Sequence, residues 1–381
     1  MEIFSISTDL EYLAVFSGVL LLPKMLLRFQ IPPGITALLL GVLAAQFDGA
    51  LIDNQLFRFL SQLGITSLFV FAGFEVDFDE INEDRSYLGK YLIKSLVAIG
   101  LIAFGLLHFF DLGVQDSIIF ALGIFTPSAG FILSSLHSYS MAKDLEYWVK
   151  SKAISKEIIS VFILFLAMQG DSLQSFLVSV AFFVFLIVVL PFLFRFFFKF
   201  ISPFAPNSEV TFLVVLSLVA GVLSKEVGAY YLVGAFVVGL VASRFKKEFI
   251  KKDQESLFDS LSSFFTVFLP FYFFMAGLKI KPEEISSQAL TIGIAFVVIF
   301  VPIRILLIKT SIKLFLKQIK EGAFDISLSL MPTLIFGLVI SSVLTERASV
   351  PAPYIYALII YTVITSVLPS ILFSLKSIFK K

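Results

Sequence analysis

In the run Lys150–Gln169, KSKAISKEIISVFILFLAMQ, a lysine and a glutamate, Lys156 and Glu157, lie several residues inside an otherwise apolar stretch. A charge near the centre of a membrane helix costs roughly 3 kcal/mol on insertion scales, so such residues face a protein interior or a watery cavity and mark a pathway. Glu157 is therefore expected to take up and release an ion or a proton. A second intramembrane charge, Arg304, sits in VPIRILLIKT (301–310). Other chemistries find little support. With no cysteine there are no disulfides, thiolate metal sites or cysteine nucleophiles. His108 and His137 are too few for a histidine-rich metal centre. No nucleophile–base pair or phosphate loop is found, so neither an enzyme nor a resident cofactor or metal is expected. The basic residues sit at the ends of apolar runs, which speaks against nucleic-acid binding.

A second set of residues points to where an ion would bind. FTPSAGFILSSL (125–136) and MPTLIFGLVISSVL (331–344) each carry a proline, then a glycine, then a Ser-Ser pair. Proline removes a backbone donor and clashes with the preceding turn, and glycine tolerates unwound geometry. Interrupted helices at matching positions of two halves are the best sequence pointer to a transporter site. They free carbonyls and aim half-helix dipoles inward. Thr126, Pro127, Ser128, Pro332 and Thr333 are the expected broken-helix cation site, through hydroxyl and backbone oxygens.

The elements that must hold these residues are membrane helices. The 381 residues are 58% hydrophobic and 15% charged, with a mean hydropathy of +0.98, well outside the range of soluble domains. Thirteen apolar segments of spanning length are expected, at about 10–27, 31–47, 56–76, 88–110, 116–136, 150–169, 172–198, 209–224, 228–243, 257–278, 287–308, 325–345 and 353–375. Lysines and arginines at their ends number twenty on the C-terminal side against five on the other, namely Arg58, Lys225, Lys279, Lys281 and Arg347. That bias puts the N-terminus outside and the C-terminus in the cytoplasm of a cell (plasma or inner) membrane. No signal peptide is expected. Lys309, Lys313, Lys317 and Lys320 recur at helical spacing beyond span 11, as snorkelling lysines at the membrane surface. The acidic run Asp77, Asp79, Glu80, Glu83 and Asp84 reads as a solvated loop.

An internal repeat organises the spans. LFVFAGFEVDFDEI (68–81) matches YFFMAGLKIKPEEI (272–285), aligning Ala72-Gly73 with Ala276-Gly277 and Glu80-Ile81 with Glu284-Ile285 at one offset. LLLGVLAA (38–45) likewise matches FVVGLVAS (236–243). Seven spans separate the members of each pair, so the copies have opposite orientations. The expectation is an inverted-topology repeat of residues 1–170 (spans 1–6) and 209–381 (spans 8–13), with 171–208 as a connector span and no soluble domain.

These motifs, in this order, resemble the Kef/NapA-like branch of the monovalent cation:proton antiporters over nearly the whole chain. AGFEVDFDEI and AGLKIKPEEI resemble that family's paired ends of spans three and ten. TPSAGFILSSL resembles its unwound span, and SKEIISVFILFLA sits where it has Asp-Asp or Gln-Asp before an apolar run. Arg304 sits at its basic position in span 11. The resemblance implies an all-α polytopic protein with an NhaA-like antiporter fold, two broken, crossing helices, and a homodimer with a mobile core domain in the lipid bilayer. It implies exchange of Na+ or K+ for H+ by an elevator-like alternating-access movement, with Glu157 as carrier. It also shows departures. The first acidic position is Lys156, and the Pro-Arg-Gly-Glu motif of many relatives reads Pro332, Thr333, Ile335 and Gly337. Lys156, Glu157 and Arg304, all ionised, sum to +1. Two arrangements stay open: Lys156 facing away and leaving Glu157 paired with Arg304, or Lys156 paired with Glu157 in the place of a cation. Two other functions also stay open, a non-transporting membrane sensor or partner protein, and a transporter of an anion or organic solute.

Overall fold

A lipid-exposed backbone has no water to bond, so apolar runs of this length must satisfy themselves as helices. The computed structural model describes residues 8–378 apart from 30, 48, 77–84, 137–138, 140, 170–172, 206–207, 228–230, 247–253 and 348, and these form helices and turns with no strand among them. There are fifteen α-helices among the described residues: α1 Thr8–Leu26, α2 Pro33–Phe47, α3 Gln55–Phe74, α4 Arg85–Phe109, α5 Val114–Phe125, α6 Ala129–Leu136, α7 Lys143–Met168, α8 Leu173–Phe196, α9 Glu209–Glu226, α10 Tyr231–Ala242, α11 Gln254–Leu278, α12 Ser287–Phe315, α13 Ala323–Ser329, α14 Leu334–Arg347 and α15 Ala352–Ile378. The expected span 116–136 is the pair α5 and α6, interrupted at 126–128, and the expected span 325–345 is α13 and α14, interrupted at 330–333. Counting each pair once leaves thirteen spans, the number read from hydropathy. Among the described residues, seven stretches meet both the length and the apolarity of a membrane span, and Pro33–Phe47, Leu232–Phe245 and Val267–Leu278 are shorter apolar helices.

Burial separates the spans by role. The two interrupted spans are 94% and 83% buried, whereas Phe176–Ile201, the most apolar of all, is only 17% buried. The broken spans are thus the most enclosed of the spans, and α8 presents Leu177, Val184, Phe185, Val188 and Phe192 outward. Exposed aliphatic and aromatic surface of this extent is what a lipid-facing helix requires.

The chain divides into two compact units, residues 1–65 with 263–282, and residues 66–262 with 283–381. Inside the first, α2 crosses the end of α11. A methyl group on Gly41 would meet the Phe274 carbonyl, and one on Gly277 would meet the Leu38 carbonyl. Inside the second, the end of α3 crosses α10 in the same way, Gly73 against the Phe236 carbonyl and Gly239 against the Val70 carbonyl. These four are the glycines that the two sequence matches align. Both crossings put backbone directly on backbone, so small residues set the helix separation.

One expected element differs. The lysine row does not continue as a single helix, because Leu316 leaves helical geometry (φ −124°, ψ 65°) after α12, and Lys317 and Lys320 lie in a short 3₁₀ segment, Lys317–Gly322. Only Lys309 and Lys313 ride on α12. The acidic run from Asp77 to Asp84, with the Glu80-Ile81 part of the repeat match, His137, and the counted lysines 247, 251, 252, 380 and 381 lie outside the described residues. Gly239→Ala should force α3 and α10 apart. The expected cost is about 1–3 kcal/mol, read as a lower midpoint of thermal unfolding in detergent, and an unchanged midpoint would contradict the crossing.

Candidate functional site

Both interruptions arise where proline meets small polar residues, and the two unwound stretches run against each other. The Ser128 N–H donates to the Pro332 carbonyl (2.9 Å), and the Ser128 Oγ accepts the Phe336 N–H in the first turn of α14 (3.0 Å). Thr333 is the N-cap of α14, since its carbonyl takes the Gly337 N–H (2.7 Å). Its hydroxyl is bonded to Thr365 of α15 (3.1 Å). Ser128 of one broken span therefore caps the half-helix of the other, work that an N-cap hydroxyl ordinarily does for its own helix.

Helix α7 is laid along the first interruption. Glu157 is buried, and its Oε2 accepts the N–H of Ala129, the first residue of α6 (2.8 Å). The Thr126 hydroxyl donates to Ser160 Oγ (2.8 Å), one turn further along α7. Lys156 points to the other side of the break, its ammonium 3.3 Å from the ring centroid of Phe125, the last residue of α5. The carboxylate thus lies at a half-helix N-terminus, the placement that the helix dipole favours, while the ammonium lies on an aromatic face. The second Glu157 oxygen, Oε1, is buried and accepts no hydrogen bond from any described residue.

Arg304 of α12 serves the second interruption. Its two terminal nitrogens donate to the carbonyls of Met331 (3.0 Å) and Leu330 (2.8 Å), which follow α13. The first also donates to the Tyr361 hydroxyl (3.0 Å), and that hydroxyl donates to the Ile124 carbonyl near the end of α5 (3.0 Å). One guanidinium therefore ties down the C-terminal carbonyls of one broken span directly and those of the other through a tyrosine. Neither pairing left open by the sequence is present: among the described residues Glu157 forms no ion pair with Arg304 or Lys156. The physical reason is that each charge has another partner at hand: an α6 N–H for Glu157, the carbonyls after α13 for Arg304 and the Phe125 ring for Lys156.

The structure gathers Thr126, Pro127, Ser128, Pro332, Thr333 and Glu157 around the crossing, with Lys156 beside it and Arg304 behind the second break. Sequence reasoning passed over Ser160, Tyr361, Thr365 and Glu75. Glu75 follows Gly73 just past the end of α3, is 7% exposed, and its Oε2 has no hydrogen-bond partner among the described residues. Its only mark in the sequence is a charge directly after the apolar run of α3, next to an acidic stretch that reads as loop.

Two interrupted helices crossing at a buried carboxylate, in a bundle of thirteen spans, define an all-helical membrane protein of the antiporter fold. The chain belongs to the sodium/hydrogen exchanger family: the family model described as "Sodium/hydrogen exchanger, transmembrane" matches residues 13–376. It is 24% identical over 280 residues to a Na(+)/H(+) antiporter of Enterococcus hirae, covering 70% of this chain and 71% of that one. Its fold is similar to that of the sodium proton antiporter MjNhaP1 from Methanocaldococcus jannaschii at pH 8, with a TM-score of 0.71, 96% of each chain covered and 12% identity.

Arg304→Met should leave the Leu330 and Met331 carbonyls buried and unpaired. A loss of about 2–4 kcal/mol is expected, with Arg304→Lys intermediate, both measured by thermal unfolding. Wild-type stability in the methionine variant would remove the capping role.

Proposed function

We propose that this protein is a secondary transporter that exchanges a monovalent cation, Na+ or K+, for protons, with Glu157 as the carboxylate that holds one or the other. The observation that carries the reading is the free Oε1 of Glu157, buried beside two interrupted helices whose hydroxyl and carbonyl oxygens suit a partly dehydrated cation. The sodium/hydrogen exchanger family and the antiporter relative support the same chemistry. Thr126, Ser128 and Thr333, with Pro127 and Pro332 opening the backbone, supply the oxygen-rich surroundings, and Glu75 adds a second negative charge nearby. A proton and a cation compete for the same oxygen, which couples the two fluxes without further machinery.

The wider reading follows the same line. The first six and last six spans form an inverted repeat about the connector at 171–208. The two glycine crossings support it, since exchanging the halves turns the α2–α11 crossing into the α10–α3 crossing. An elevator-like movement of the core, a homodimer, a cell-membrane location and a cytoplasmic C-terminus complete the proposal. The charges favour a second reading: of the three buried carboxylates Asp116 is held by Arg347, which leaves Glu75 and Glu157 against three buried basic residues, Lys152, Lys156 and Arg304. A site of that balance would also suit an anion or organic solute, or a protein that senses or partners rather than transports.

Purified protein in liposomes with an imposed pH gradient separates the readings. Addition of Na+ or K+ should dissipate the gradient in the wild type. Glu157→Gln should abolish the response while the protein stays folded, and retained flux in that variant would sink the carrier assignment. Lys156→Gln, which removes a positive charge near the carrier, should lower the half-saturating cation concentration several-fold. A gradient insensitive to every cation but collapsed by an anion would favour the second reading.

A further inference from the structure

One turn before Lys156 on the same helix, Lys152 is buried completely, with 0% of its surface exposed. It has no carboxylate partner among the described residues. Its ammonium donates a hydrogen bond to the Tyr87 hydroxyl and lies 4.4 Å from the Tyr87 ring centroid and 4.0 Å from that of Tyr91. The two tyrosines are one turn apart on α4, and Trp148 of α7 packs edge-on against Tyr87 (5.1 Å). Rings stabilise an ammonium by their negative faces. They neither neutralise it nor block its loss of a proton. A packing role would be met better by methionine or leucine, because burying an unpaired ammonium costs several kcal/mol.

Position adds to this. Lys152 lies between the Lys143 end of α7 and the Lys156–Glu157 pair, and residues four apart on a helix have Cβ atoms about 6 Å apart. Tyr87 lies near the start of α4, next to Lys90 and Lys94, whose ammonium groups sit over the Phe315 ring (5.2 and 4.9 Å). The charged and titratable groups that face Lys152 are Tyr87, Tyr91 and Lys94 of α4 and Lys156 of its own helix. Of the other elements packed on α7, α6 has no titratable residue, Asp116 of α5 is held by Arg347 (3.0 Å), and Asp325 of α13 is held by Lys376 (2.6 Å). The side chain of Tyr231, the only titratable residue of α10, lies outside the described ones.

We infer that Lys152, held by Tyr87 and Tyr91, is a proton-relay residue between the Lys143 end of α7 and Glu157. This rests on the antiport reading above. In the inward direction the Lys156 ammonium gives a proton to the Glu157 carboxylate and takes one back from the Lys152 ammonium. The Lys152 amine then takes a proton arriving through the Tyr87 hydroxyl. Each lysine ends as it began, and one proton has moved.

The test compares wild type, Lys152→Met, Lys152→Arg and Tyr87→Phe in liposomes, using the initial rate of cation-driven proton movement across pH 6–9. Cation-dependent thermal stabilisation serves as the check that fold and cation site persist. Arginine keeps the charge but does not release its proton in proteins. Both Lys152 variants should lose at least about tenfold in rate and one limb of the pH profile. Tyr87→Phe should be intermediate, and cation stabilisation should persist in all. Wild-type kinetics in Lys152→Arg would make Lys152 a fixed charge and overturn the relay. So would wild-type kinetics in Lys152→Met. Failure of the wild type itself to move protons with any cation would instead overturn the antiport reading, and the relay with it.

Discussion

An interrupted helix inside a membrane leaves free N–H groups and carbonyls where no bulk water can reach them, and the rest of this fold answers that problem. Each of the four half-helix ends has at least one partner. Glu157 takes the first N–H of α6, and the Ser128 hydroxyl takes an N–H in the first turn of α14. Arg304 takes the last carbonyls after α13, and Tyr361 takes one at the end of α5. The partners come from α7, α12, α15 and the opposite interruption, so the helices surrounding the crossing are held in register by groups that a continuous helix would not need.

The same arrangement leaves one glutamate with one committed oxygen and one open oxygen. Its Oε2 is committed to the backbone of α6, which fixes the carboxylate in place, while Oε1 is left without a donor. A carboxylate fixed by one oxygen and open at the other changes its ligand without losing its position. Lys156, adjacent in sequence, forms no ion pair with that carboxylate among the described residues, and its ammonium lies over the ring of Phe125. The positive charge stands near the site without filling it.

The sequence made some of this legible and hid the rest for definite reasons. Proline and glycine act on the backbone locally, so the interruptions at Pro127 and Pro332 could be placed from a few residues each. Glu157 and Arg304 stood out because charge is rare in apolar runs. Their partners did not, since both bind main-chain groups, and a carbonyl or an N–H leaves no mark on residue type. That is why an ion pair between them looked reasonable and is absent. Glu75 was hidden by its position near the polar end of its span, where a charge ordinarily reaches solvent. Tyr361 looked like any aromatic residue of a membrane helix. The end of α12 was misread because equal spacing of lysines says nothing about the φ and ψ of Leu316 between them.

Because Ser128 caps the half-helix of the opposite span, neither interruption is self-contained. Unwinding α6 far enough to move Ser128 uncovers the Phe336 N–H, and shifting α14 strips Ser128 of its donor. The two breaks therefore form one cooperative opening unit. Amide protons in the first turns of α6 and α14 would exchange with solvent together, at a common rate, although about 200 residues of chain separate them.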